Sequence, residues 1–356
     1  MNDSEILVEW YRHNKRDLPW RKTNSPYQIW LSEIILQQTR VNQGLGYYVK
    51  FIEKYPQIED LANASIDEIL KLWQGLGYYT RARNLHETAR TIVNEYNGKF
   101  PGTYNQLIKL KGIGPYTAAA IASIAFEEPI ALVDGNVFRV LARYFGDHTP
   151  INSSRGGKIF TNLAQQLLDT NIPGIHNQAL MEFGSLLCVP MKPHCSECPL
   201  SAECCAYRED QTAILPVKIG NGRIRKRYFN YLFIISDNKT YLKRRMNNDI
   251  WHSLYEFPLV ETPSSTTPEK LIDTKGWKKI FGNAKVILKN TTKTYKHQLS
   301  HQIIFCNFYC AEIEDDLKLK NNEYLKVTFD DLKSYPVSRL IDKYLADLKR
   351  EGLICN

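Results

Sequence analysis

Residues 110–120 read Leu110-Lys111-Gly112-Ile113-Gly114-Pro115-Tyr116-Thr117-Ala118-Ala119-Ala120. This stretch follows one predicted helix and opens another. Its two glycines permit positive φ and a close approach of backbone to a partner. The free N–H groups at the start of the second helix then point toward an anion. Leu-x-Gly-x-Gly by itself also describes an ordinary turn between helices, so its meaning depends on what surrounds it.

Around the turn, residues 1–205 read as mostly helical. Apolar residues recur every three to four positions over 28–40, 66–73, 81–96, 117–124, 137–144, 157–169 and 178–187. Glycine and proline separate these segments. Residues 206–227 are polar and end in the basic run Arg223-Ile224-Arg225-Lys226-Arg227, which reads as a linker with a cationic end. From Tyr228 the pattern becomes β. Tyr231–Ile235 reads as a buried strand, Asp237-Asn238-Lys239 as a turn, and Tyr241–Arg245 as the returning arm of a hairpin. Further strands are expected at 285–289 and 302–309, and helices at 268–274 and 338–349. The expected fold is thus a mostly α first domain (1–205), a linker (206–227) and an α+β second domain (228–356).

The chain has 356 residues and a net charge of +8. That length accommodates two cores, and the basic surplus suits a polyanionic partner. No apolar run is long enough to span a membrane, and the acidic, polar start is unlike a signal or transit peptide. A cytoplasmic monomer is expected.

Of eight cysteines, five lie between Cys188 and Cys205. Such clustering argues for metal ligation rather than disulfides. Cys188, Cys195, Cys198 and Cys204 have the spacing C-x6-C-x2-C-x5-C. All-thiolate sites serve zinc as well as iron–sulfur clusters, so ligand type alone leaves both open. By spacing, Cys205 is a bystander.

Two carboxylates sit in contrasting settings. Glu33 lies in Trp30-Leu31-Ser32-Glu33-Ile34-Ile35-Leu36, where burial raises a carboxyl pKa and suits a general acid. Asp134 follows the apolar run Ala131-Leu132-Val133 and precedes a helix, whose amides and dipole favour the anion. Capping that helix is the simplest role for Asp134. Together they supply an acid and an anion, the division of labour of glycoside hydrolysis.

With the turn at 110–120, the cysteine spacing and these two segments, the chain resembles the endonuclease III superfamily of DNA glycosylases, with its helix-hairpin-helix and [4Fe-4S] loop, and within it the adenine glycosylases. The resemblance implies base flipping and hydrolysis of adenine paired with 8-oxoguanine or guanine in duplex DNA. Glu33 matches the acid and Asp134 the group that stabilises or captures the sugar cation, with Tyr116 and Asn136 as their partners. Arg16, Trp20, Arg21, Leu36, Gln178 and Glu182 match the pocket for the extruded base. Gln38, Thr39, Leu76 and Tyr78 match elements that fill the opened stack, and Gly112 and Gly114 the phosphate-binding hairpin. Cys188, Cys195, Cys198 and Cys204 match the cluster ligands. Tyr116 stands where bifunctional members carry a Schiff-base lysine, which implies a water-using, monofunctional enzyme.

Residues 228–356 resemble a Nudix-like domain without its carboxylate box. In the stretch that follows Glu256-Phe257-Pro258 the acids are only the scattered Glu261, Glu269 and Asp273, so pyrophosphate hydrolysis is disfavoured. Leu299-Ser300-His301 matches a lesion-contacting turn, with Leu299 where Phe is typical. The competing readings are an abasic-site lyase or thymine mismatch glycosylase of the same superfamily, and a non-enzymatic iron–sulfur DNA-binding protein.

Overall fold

The computed structural model describes residues 2–220, 224–282, 284, 286–313 and 323–352. Arg223 of the basic run, Lys285 at the start of one expected strand, and Cys355 lie outside the described residues. The chain divides into two compact units, residues 1–63 with 84–221 and residues 64–83 with 222–356.

The helices in order are α1 (Asp3–Asn14), α2 (Pro26–Leu36), α3 (Val41–Lys54), α4 (Ile58–Asn63), α5 (Ile66–Leu72), α6 (Thr80–Tyr96), α7 (Tyr104–Leu107), α8 (Pro115–Phe126), α9 (Gly135–Phe145), α10 (Ser154–Leu167), α11 (Pro173–Leu186) and α12 (Cys205–Arg208). In α2 every residue from Ile29 to Ile35 is buried. A helix apolar on nearly all sides belongs in an interior. It ends at Leu36, not at Arg40 as the spacing suggested, because the chain turns at Gln38 through a left-handed φ of 55°. Five of these helices lie outside the segments marked by apolar spacing, the four-residue α7 and α12 and the three that follow. α1 is set by a reciprocal cap between Asn2 and Glu5, each side chain accepting from the other's backbone N–H at 2.9 Å. α3 is masked by Gly44 and Gly46. A Cβ at Gly44 would stand 2.7 Å from Leu36 Cδ2, so the glycine lets α3 close on α2. α4 is a single short segment.

Residues 206–220 are not a free tether. Ile151 N donates to Val217 O at 3.0 Å, and the buried Arg143 Nε donates to Leu215 O at 3.0 Å.

The second unit holds β1 (Arg225–Ile235), β2 (Lys239–Arg244), β3 (Tyr255–Glu256), β4 (Leu259–Thr262), β5 (Val286–Gln298), β6 (Gln302–Ile313) and β7 (Tyr324–Thr328), with α13 (Pro268–Ile272), α14 (Lys275–Phe281) and α15 (Arg339–Arg350). One sheet runs β4-β1-β6-β5 and the other β3-β2-β7. Alternation along β1 directs Phe229, Tyr231 and Phe233 into a core with α15, while Leu232 and Ile234 face α13 and α14. Phe308 and Tyr344 stack at 3.9 Å in the first of these cores.

The expected β1–β2 hairpin does not form. Its turn is present, with Asp237 and Asn238 at positive φ and Ser236 bridged to Lys239. Both edges of β1 are taken by β4 and β6, so β2 passes into the other sheet. Nor does the whole basic run belong to the linker. β1 begins at Arg225, and Arg227 is buried between Asp249 and Glu261, both at 2.7–2.9 Å. The second unit therefore starts before Tyr228, and it also takes in residues 64–83.

Candidate active site

Several segments of the first unit line one pocket of about 820 Å³, among them residues 16–21, which present Arg16, Leu18, Trp20 and Arg21. α2 presents Ile29, Ser32, Glu33 and Leu36, and α11 presents Gln178, Met181, Glu182 and Ser185. Each set is spaced three to four apart, as one helical face requires. Tyr116 enters from the first turn of α8. Asp134 and Asn136 enter from the start of α9. All ten residues matched above to catalysis and the base pocket line this cavity.

Burial pushes the Glu33 carboxyl up to about 7, and the charge of Asp134 adds to the rise. Tyr116 and, more weakly, Arg21 oppose it. Asp134 caps α9. Its Oδ1 accepts from the N–H of Asn136 and of Val137, and its Oδ2 from Asn136 Nδ2, all at 2.8 Å. These bonds favour the anion, as does Arg139. Burial outweighs them, so this carboxyl also lies above its ordinary value, against the direction expected from the amides and the dipole.

Arg16, Arg21 and Glu182 form a closed ionic cluster. Arg16 Nε and Arg21 Nη1 both donate to Glu182 Oε1 at 2.8 Å, and Arg21 Nη2 donates to Oε2 at 2.7 Å. Burial would raise Glu182, but the two guanidiniums hold it down at about 2. The cluster's polar ends are thus largely paired with one another. Gln178 accepts from Tyr11 OH at 3.1 Å, which leaves its amide N–H groups to offer a ligand. Trp20 packs edge-on to Tyr48 at 5.1 Å while lining the pocket.

Sequence reasoning missed Tyr11, Met181 and Arg139. Met181 was readable from its spacing to Gln178 and Glu182. Tyr116 OH contacts its sulfur at 3.3 Å. Arg139 had no signal beyond lying one turn into α9. Its guanidinium donates to Asn136 Oδ1 at 3.0 Å and to Cys188 O at 2.7 Å.

In the 110–120 turn the two glycines differ. Gly112 has φ 75°, and a Cβ there would lie 2.6 Å from Asn84 Cβ. Gly114 is the N-cap of α8 with φ −89°, and nothing lies within 4 Å of its would-be Cβ. Only the first uses glycine's left-handed freedom. The second leaves open space beside uncapped helix amides.

Cys188, Cys195, Cys198 and Cys204 line a single cavity walled by Val140, Phe183, Leu187 and Leu200. Cys205 is not among its walls and packs beside Gly146. Arg143 Nη1 donates to Cys188 Sγ at 3.4 Å. Burial pushes the Cys198 thiol up to about 11, and the other three thiols add to it. Four such groups together call for a cationic partner, and the donor set fits an iron–sulfur cluster. Among the described residues, no three His, Cys, Asp or Glu side chains are grouped to hold a single metal ion.

In the second unit Tyr78, Arg83, Trp251, Leu299, Ser300 and His301 line a pocket of about 800 Å³. Tyr78 is 48% exposed, with φ 47°. Leu76 is buried, so in this structure it packs rather than projecting as a wedge. Gln38 is exposed, and Thr39 lines the first unit's pocket. Ser300 and His301 are exposed with Oγ and Nδ1 3.3 Å apart. Glu261 is bound to Arg227, which removes it from any metal-binding box.

Residues 31–160 match the model of the HhH-GPD superfamily of base excision DNA repair proteins, and residues 230–347 that of the NUDIX domain. A solved thermostable thymine-DNA glycosylase is 34% identical, covering 58% of this chain and 95% of its own, with a TM-score of 0.54. Helical fold, carboxylate-lined pocket and matched domain model together define a base-excision DNA glycosylase. The adenine DNA glycosylase of Buchnera aphidicola (subsp. Baizongia pistaciae) is 36% identical over 85% of this chain and 84% of its own length. The human one is 44% identical over 59% and 40%. The chain belongs to the adenine DNA glycosylase family.

Among the described residues no helix is long and apolar enough to cross a membrane.

Proposed function

We propose that this chain excises adenine paired with 8-oxoguanine or guanine in duplex DNA by acid-assisted hydrolysis. The observation that carries this reading is the pairing, in one nucleoside-sized pocket, of a carboxyl that holds its proton to about pH 7 with a second carboxyl bound by three N–H donors. Glu33 gives its proton to N7 of the extruded purine. The C1′–N9 bond breaks with its electrons going to the base, and the Asp134 carboxylate faces the positive sugar that results. Water adds at C1′ and returns a proton to Glu33. Tyr116 supplies no amine, so no Schiff base forms and the abasic strand stays intact.

DNA is held by the amides at the start of α8 through a backbone phosphate, supported by the surplus of +8. Gln38, Thr39 and Tyr78 fill the opened stack, and the turn at Leu299-Ser300-His301 reads the base opposite the adenine. Cys188, Cys195, Cys198 and Cys204 hold a [4Fe-4S] cluster, which cross-links the loop that carries them. The enzyme acts as a monomer in the cytoplasm.

The test is single-turnover excision on duplexes bearing A opposite 8-oxoguanine, A opposite G, T opposite G, and a preformed abasic site. Adenine release alone is expected, with strand breaks only after alkali. Thymine release or rapid nicking of the abasic duplex overturns the reading.

A further inference from the structure

We infer that Trp251 supplies the flat aromatic face against which the base opposite the adenine is read. This rests on the reading of Leu299-Ser300-His301 as the base-contacting turn. The pocket at that turn offers a hydroxyl, an imidazole and an aliphatic side chain on its own segment, with Leu299 folded partly into the core of the unit. A planar heterocycle is held best against an extended π face. Two other aromatic residues line the pocket with substantial faces, Tyr78 and Tyr79. Tyr79 is buried, and Tyr78 is assigned to the opened stack. The remaining large face is the indole of Trp251, which, like Leu299, packs partly against the core, meeting Phe229 at 6.1 Å, and is half-buried.

The segment carrying this indole is held in an unusual conformation. Trp251 has φ 59° and Ser253 φ 68°, a left-handed backbone that residues other than glycine rarely adopt. Such conformations persist where neighbouring structure over-determines them, and they concentrate at ligand sites. Here the clamps are explicit. The Asp249 carboxylate is gripped by Arg227 and Arg245 at 2.8–2.9 Å. Arg245 Nε donates to Ile250 O at 3.0 Å, and Ser253 N donates to Arg245 O at 2.8 Å. Arg83 Nη1 donates to His252 O at 2.7 Å. The indole in turn lies 5.7 Å from the ring of His297, two residues before Leu299, which ties it to the base-contacting turn. Core packing alone does not call for a strained, doubly clamped loop whose indole lines an open pocket.

The test compares A:8-oxoguanine with A:G duplexes, by affinity and single-turnover excision, in Trp251→Leu, Trp251→Phe, Trp251→Leu with Leu299→Phe, and Ser300→Ala. Trp251→Leu is expected to weaken binding of both duplexes about tenfold, the size of one lost base–aromatic stack, because guanine and 8-oxoguanine offer the same flat face. Trp251→Phe keeps most of that affinity, and adding Leu299→Phe to Trp251→Leu restores part of it. Melting temperatures are read first. Should the Trp251→Leu protein unfold, the difference in tryptophan quenching between wild type and Trp251→Phe on binding A:8-oxoguanine duplex gives the same answer. Unchanged affinity in Trp251→Leu with a loss of preference in Ser300→Ala overturns the role of Trp251 and leaves the turn's reading standing. Unchanged affinity in Trp251→Leu together with unchanged preference in Ser300→Ala overturns the reading of the whole surface.

Discussion

Asn136 holds Asp134 twice, its backbone N–H on Oδ1 and its side-chain Nδ2 on Oδ2, each at 2.8 Å. The first bond belongs to the helix cap and survives any substitution that keeps the backbone. The second is particular to asparagine and opposes the burial that raises Asp134. Asn136→Ala is therefore expected to slow adenine excision roughly tenfold to a hundredfold, the worth of one hydrogen bond to a charged group. The acid limb of its pH–rate profile moves upward, because Asp134 then keeps its proton to higher pH. A variant with wild-type rate and an unmoved limb removes Asn136 from this role.

Glu33 makes the fold less stable where it is ionised. Its folded value of about 7 lies above its unfolded value of 4.5, so its favourable contribution is complete below 4.5 and is lost as pH rises through 7. Glu33→Gln should leave stability near wild type at pH 4 and raise it by about 3 kcal/mol at pH 8. Urea unfolding at the two pH values measures this. Equal stability of the two proteins at pH 8 rules out a strongly raised Glu33.

The two glycines of the 110–120 turn are expected to part company. Gly112→Ala meets both a left-handed φ and Asn84, and should cost about 1–3 kcal/mol of stability. Gly114→Ala keeps an ordinary φ in open space, so its melting temperature stays near wild type. The added methyl stands beside the uncapped α8 amides, and duplex affinity falls. If Gly114→Ala binds duplex normally, phosphate capture at this helix start is wrong.

Cysteine substitution separates ligands from bystander. Cys198→Ser is expected to lose the roughly four irons per chain and the yellow-brown colour of an iron–sulfur protein. Cys205→Ser keeps both, since Cys205 lies outside the cavity. Iron analysis and the visible spectrum decide it. Iron lost from Cys205→Ser, or zinc in place of iron in the wild type, contradicts the assignment.

Much of the site was legible because its residues lie on short, strongly patterned segments. Glu33 among Trp30, Ile34 and Ile35 announces a buried carboxyl, and Asp134 before Gly135-Asn136 announces a cap. What was not legible depends on distant partners. Arg16, Arg21 and Glu182 read as three polar ends for a ligand, and only the fold shows them bound to one another. The β1–β2 turn reads correctly as a turn, but strand order is set by β4 and β6 claiming both edges of β1. Arg227 looks like part of a cationic linker until Asp249 and Glu261 are brought to it. Residues 64–83 carry no sequence mark of belonging with residues 222–356. That follows from pairs such as Asp67 with Arg244 and Gln74 with Asp342.

The central claim is that Glu33 works as a protonated acid. The direct measurement is the single-turnover rate of adenine release from an A:8-oxoguanine duplex, followed from pH 5.5 to 9. The rate is predicted to fall as pH rises through about 7, and Glu33→Gln to bind duplex yet show almost no excision at any pH. A wild-type rate that stays level from pH 6 to 9, or a Glu33→Gln protein that still releases adenine at a comparable rate, contradicts the account.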